Sequence, residues 1–231
     1  MTTLTTPAGG QQTRRAEKTA AVPRIAGLES MDYERLAAAM ETGASRNYIA
    51  CVNWAEYPYA PVAAFDIARS DTHLVIRYFV RGEGIRATYA RDGEPVWRDS
   101  CVEFFVREPG SDCYYNFEFN CIGTCLAGYG AGRNGRTPLP DGQLERIVRH
   151  ASPGREPLGE KSGIQAWELI VAIPFELFGA DPKRLPETLR ANFYKCGDDT
   201  PIPHFVSWNP IDAPSPDFHL PEFFGEIRLR P

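Results

Sequence analysis

Apolar and polar side chains alternate in two runs between Trp97 and Gly130, with a short loop between the runs. In the second run Tyr115, Phe117, Phe119 and Cys121 point one way, and Asn116, Glu118 and Asn120 the other. A period of two marks a half-buried β-strand. The apolar face needs a core. The polar face is either solvated surface or the lining of a groove.

The same texture extends over most of the chain. Strands are expected near 48–54, 63–68, 74–80, 100–107, 114–122, 124–129, 144–150, 165–173, 189–195 and 224–229. Gly82 and Gly84 interrupt, and a strand resumes near 85–89. Pro174–Phe178 reads as a helical turn with proline in its first position. Loops rich in Gly, Pro and charge fill 130–142 and 152–163, and a Pro-rich loop spans 197–221. One stretch follows helical spacing: Tyr33, Leu36, Ala37 and Met40 share a face over 31–42, with Ser30 as N-cap and Gly43 as stop. About ten short strands without βαβ alternation or repeats predict an all-β fold. The expected architecture is an antiparallel β-sandwich, jelly-roll-like or Ig-like, with one short N-terminal helix. Residues 1–24 have few large apolar groups and are expected to be a flexible tail, leaving 25–231 as one domain.

Composition narrows the function classes. A net charge of −5 without a dense Lys/Arg cluster gives a nucleic acid no basic patch. No run approaches the roughly 20 apolar residues of a membrane span. No secretory h-region is visible, so the sequence reads as cytoplasmic unless a leader has been removed. The six cysteines include no CxxC pair, so they read as buried thiols rather than as a zinc set. Met1, Met31 and Met40 all precede the strands, which leaves no Met/His haem pair in the β-domain.

No GxSxG, P-loop, GxGxxG or HExxH is present. His73, His150, His204 and His219 are scattered and pair with no visible nucleophile. Glu103 and Glu118 lie on strands expected to be neighbours, the one carboxyl pair that keeps glycan hydrolysis open. A sugar needs flat aromatic rings for its C–H faces, with amides and carboxylates for its hydroxyls. Trp97, Glu103, Glu118 and Asn120 offer these, with Trp208 and Phe218 in the long loop. Trp54 and Trp167 read as core.

Trp97-Arg-Asp-Ser-Cys-Val-Glu103-Phe-Phe resembles the W-x-x-D-S-V-E-[IF]-F signature of the family 9 carbohydrate-binding modules. The likeness continues through Tyr115–Asn120, Trp167–Pro174, Arg190–Tyr194, Ser207–Pro210 and Pro221–Ile227, in family order. More narrowly, the chain is similar to a bacterial family 9-like subgroup. The resemblance implies a β-sandwich that binds a mono- or oligosaccharide without catalysis. Two aromatic residues hold a terminal sugar there, and polar groups bond its hydroxyls. Carried over, Trp97 is the first aromatic, Glu103 the strand carboxylate and Asn120 the asparagine of the next strand. Glu118 stands where the module has an arginine, and Phe218 where it has its second tryptophan. Structural calcium held by loop carboxylates and carbonyls is also implied, with ligands that the sequence does not place. These two departures motivate an alternative, an accessory sandwich that has lost sugar binding.

Overall fold

The alternating stretches form strands in a computed structural model that describes residues 17–230. In chain order they are β1 (Thr19–Val22), β2 (Ser45–Tyr48), β3 (Cys51–Val52), β4 (Val62–Arg69) and β5 (His73–Ala87). β6 (Cys101–Arg107), β7 (Tyr114–Asn120), β8 (Cys125–Gly130), β9 (Thr137–Pro138) and β10 (Val148–Ala151) follow. β11 (Leu158–Pro174), β12 (Thr188–Cys196), β13 (Phe205–Ser207) and β14 (Gly225–Leu229) complete the set, with helices α1 (Tyr33–Gly43) and α2 (Asp141–Leu144). They build two sheets. One has the order β10-β11-β5-β4-β2. The other has the order β1-β14-β12-β6-β7-β8-β9, with β13 joining β12 to β3.

The sandwich expected from the pattern is therefore the fold, with several local differences. β1 lies inside the stretch read as a flexible tail. It pairs in parallel with β14, from Thr19↔Glu226 to Val22↔Leu229, and buries Ala20 and Val22. Two small apolar side chains suffice because the partner strand supplies the hydrogen bonds. The rest of the expected tail, residues 1–16, lies outside the described residues. Gly82 and Gly84 do not end a strand. β5 runs through them, and its ladder with β11 shifts register between Lys161↔Ile85 and Ile164↔Glu83. Gly84 and Gly163 supply the positive φ values, 74° and 81°, that this irregularity uses. Helix α1 is capped by Asp32, whose side chain accepts from Arg35 N, rather than by Ser30, which closes a short turn onto Gly27 O. The region 144–150 splits into the end of α2 and β10, and 197–221 contains β13.

Three apolar layers follow from these faces. Between the sheets, Phe65 stacks on Phe193 with centroids 3.7 Å apart, and Trp208 meets both rings edge-on. Leu36 and Met40 of α1 cover Ala68, Val75, Ile170 and Ala172 on the far side of the five-stranded sheet. On the far side of the larger sheet lies a second aromatic cluster. Phe105, Tyr114 and Tyr194 rise from the strands there to meet Trp54, Phe218 and Phe224 from the loops above. Burying each such side chain contributes roughly 1.5–3 kcal/mol. The loops leave part of this outer face open, and the site lies in that opening. All six cysteines are free, and four are buried. No helix among the described residues is long and apolar enough to cross a membrane.

Candidate functional site

Strand alternation puts Glu103 on the outer face of β6 and Asn116 and Glu118 on that of β7. Glu103 and Glu118 are direct cross-strand partners, and Tyr194 stands opposite Glu103 on β12. Glu103, Asn116 and Glu118 floor a cavity of about 610 Å³. Tyr57, Trp97, Phe205 and Phe218 form its walls, and Arg133, Asp198 and Asp217 reach its rim. Four of the five residues singled out in the sequence thus converge: Trp97, Glu103, Glu118 and Phe218.

Asn120 does not join them. It shares a face with Glu118, but the loops before β6 and after β7 close over it. Its amide donates to Tyr89 O (2.7 Å) and Asp99 Oδ2 (3.1 Å), and its Oδ1 accepts from Thr124 N (3.0 Å). Asp99 is fully buried and also accepts from Thr88 N, Tyr89 N and Arg86 Nε. Asn120 therefore anchors the loop that carries Trp97 and lies outside the cavity lining. Trp208 is likewise core, at 2% exposure, rather than groove.

Trp97 sits on a short turn, Val96–Arg98, and is 37% exposed. Backbone bonds from Asp198 N to Trp97 O and from Asp199 N to Arg98 O stitch this turn to the end of β12. An ion pair of 2.8 Å between Arg98 and Asp199 adds to them. Phe218 is held from below. Its ring stacks on Tyr194 at 4.2 Å, and its carbonyl accepts the Tyr194 hydroxyl. At 7% exposure it offers the cavity only part of its ring.

The floor is electrostatically unusual. Both carboxyls are nearly fully buried. Glu118 Oε1 accepts from Asn116 Nδ2 at 2.8 Å, whereas its Oε2 is buried without any hydrogen-bond partner. Glu103 Oε1 accepts from the Cys196 thiol at 3.1 Å. Burial pushes Glu118 up to about 7, against the pull of its bond from Asn116. Glu103 is held well above the ordinary carboxylate range by burial, then by Cys196 and Glu118. Asp198 is raised to about 6, again mainly by burial. Two buried carboxyls side by side resist ionising together.

The nearby arginines offset part of this rise at Glu118 through their charge, but neither bonds a floor carboxyl. Arg136 spends its donors on Asn116 Oδ1 and on the carbonyls of Tyr114, Gly128, Gly130 and Gly132. Arg133 is paired with Asp217 at 2.9 Å, which straps the 131–136 loop to the loop carrying Phe218. His219 bonds Tyr114 OH and is pushed down to about 3 by burial, so it is neutral near pH 7.

Among the described residues, the group of three His, Cys, Asp or Glu ligand atoms that converges is Cys101, Glu103 and Cys196. Two thiols and a carboxyl do not suit a cation that takes six to eight oxygens.

The matching family model is that of carbohydrate-binding family 9, over residues 34–229. The chain belongs to this family. A candidate carbohydrate-binding protein from Bacteroides uniformis is 34% identical, with a TM-score of 0.86 over 93% of this chain and all of that one. Two structures of family 9 carbohydrate-binding modules from Caldicellulosiruptor kristjanssonii, solved with different sugars, share the fold at far lower identity. The module solved with glucose is 14% identical, with a TM-score of 0.50 over 92% of this chain and 96% of its own. The module solved with cellotriose is 13% identical, with a TM-score of 0.54 over 92% and 94%. No curated protein sequence matches the chain. Within this family 9 domain, the cavity residues that sequence reading did not single out include Tyr57, Phe205, Asp198, Arg133 and Asp217. Phe205 comes from β13 and the others from loops, and no spacing links them.

Proposed function

We propose that the chain is a non-catalytic carbohydrate-binding domain whose cavity takes one end of a mono- or oligosaccharide. One observation carries this reading. An exposed tryptophan and a fixed phenylalanine flank a buried floor with an open hydrogen-bond acceptor, Glu118 Oε2. A sugar supplies C–H faces for the rings and O–H donors for the floor. The volume lies within the roughly 300–1,000 Å³ of small-molecule sites. The glucose and cellotriose complexes of the Caldicellulosiruptor modules add support from the shared fold. The dissociation constant is expected in the micromolar to millimolar range, roughly −4 to −8 kcal/mol.

The placement of the carboxyls favours binding over hydrolysis. Glu103 and Glu118 are adjacent on one floor. A glycosidase needs its two carboxyls on either side of the scissile bond, whereas these two lie side by side beneath the cavity. The limited exposure of Phe218 favours one further reading, an accessory sandwich without sugar binding. A glycan array followed by titration calorimetry decides between them. Trp97→Ala is expected to lower affinity for the bound glycan at least tenfold. Full retention refutes the site, and no binder at millimolar concentration favours the accessory reading.

A further inference from the structure

We infer that the cavity selects a sugar bearing a protonated amine, with the ammonium seated between Glu103 and Glu118. The inference rests on the carbohydrate reading above and names the ligand class of the same site. Its starting point is geometric. Two carboxyl side chains, 3% and 4% exposed, stand directly opposite each other on β6 and β7. A neutral sugar needs acceptors, but it gives no reason to bury two of them side by side. Like charges directly opposite across strands are destabilising, and buried charges are retained where they are paired.

Arg136 and Arg133 act on Glu118 through their charge, but among the described residues no cation bonds either carboxyl. All the donors of Arg136 are bound to Asn116 and to main-chain carbonyls. Arg133 is held at the rim by Asp217. Lys195 follows Tyr194 on β12, so alternation sends it to the other face of the sheet. There its ammonium donates to Cys196 O and His204 Nε2. Asp198 adds a third carboxyl to the lining rather than a balancing charge.

The unpartnered atom gives the second, independent observation. Glu118 lines the cavity, and its Oε2 is buried and receives no hydrogen bond. An unmade bond to a buried carboxylate is costly. A hydroxyl supplies one donor. An ammonium supplies three, with a charge. It can bond Glu118 Oε2 and Glu103 together as charge-assisted contacts, and its presence lets both carboxyls ionise. A hexosamine or a chitosan oligomer brings that group on a ring with the C–H face that Trp97 needs.

The experiment is calorimetry or NMR titration at neutral pH with the full chain. The probes are glucosamine, galactosamine, mannosamine and chitosan oligosaccharides, each against its neutral and N-acetylated counterpart. At least one amino sugar is expected to bind tenfold or more tightly than both counterparts. In Glu118→Gln, and separately in Glu103→Gln, that ratio is expected to fall towards one, whichever way the absolute affinity moves. Thermal melts of each variant establish that it is folded. If the neutral sugars bind as well as the amino sugars, the inference is wrong and the carbohydrate reading stands. If no sugar binds to the folded protein, both are wrong.

Discussion

Replacing Glu118 with glutamine removes an ionisable group from the cavity floor while keeping its size, so it isolates the cost of charging that group. The wild-type carboxyl titrates near 7 in the folded chain, against 4.5 for an ordinary glutamate, chiefly because it is buried. A folded value above the unfolded one means that the native state holds its proton more tightly. Stability is then greatest below pH 4.5 and falls as pH rises towards and through 7. At about 1.4 kcal/mol per tenfold change in proton affinity, the loss comes to about 3 kcal/mol. Other groups act in the same interval. Asp198, raised to about 6, works in the same direction. His204 and His219, both buried and pushed down to about 3, work the other way and cost stability as pH falls below 6.5. The histidine contributions cancel when variant and wild type are compared at each pH, whereas Glu103 and Asp198, which interact with Glu118, are themselves relieved in the variant and add to the difference. Urea unfolding in half-unit steps from pH 4.5 to 8 is therefore expected to show Glu118→Gln gaining about 3 kcal/mol relative to wild type across that range. A difference that stays constant within about 0.5 kcal/mol would refute the claim that this carboxyl is ionised at a cost. Adding a bound amino sugar should erase much of the wild-type loss, since the cation pairs with the charge.

Two further predictions concern the frame of the site. Asp99→Ala removes a fully buried carboxylate that accepts from Arg86, Thr88, Tyr89 and Asn120. Stranding these donors is expected to cost about 3–5 kcal/mol, read as a fall in melting temperature and urea midpoint. A midpoint within error of wild type would mean that the Trp97 loop is held by other contacts. At Gly225 a methyl group would lie 2.6 Å from the Trp208 ring and 2.7 Å from Lys18 O. Neither can retreat easily, so Gly225→Ala is expected to destabilise by about 1–3 kcal/mol. Gly132→Ala, with nothing within 4 Å, should stay within about 0.5 kcal/mol of wild type.

The parts of the fold that sequence revealed are those in which one side-chain face meets one core. The alternation of Tyr115 to Cys121 identified β7 and its buried face, with Phe117, Phe119 and Cys121 all between the sheets. It also made β6 and β7 neighbours, and the register places Glu103 against Glu118. What escaped were elements whose stability comes from their partners. β1 is four residues long and contributes two small buried side chains; its order comes from hydrogen bonds to β14. β13 has three residues, a length at which no period can be seen. Gly82 and Gly84 looked like a break because glycine weakens a strand in isolation. The long ladder to β11 absorbs them as an irregularity.

The site shows the same limit more sharply, in two side chains separated by one residue. Glu118 and Asn120 share a face of β7, and sequence treats them alike. Every polar group of Asn120 is bound by its own surroundings, to Tyr89, Asp99 and Thr124. Glu118 has one oxygen bound and one left over. Periodicity assigns a direction to a side chain, but the loops that arrive above it decide whether its hydrogen bonds close within the fold. Over Asn120 the Trp97 loop and the turn after β7 complete the set, and the residue becomes part of the frame. Over Glu118 the loops part and leave a cavity, and its remaining bond must be made by something else. A buried polar group with closed bonds serves the fold, whereas one left open beside a cavity and a second carboxyl is a cost that folding alone does not explain. That asymmetry, more than any motif, is why the proposed binding role is assigned to Glu118 and Glu103 and not to Asn120.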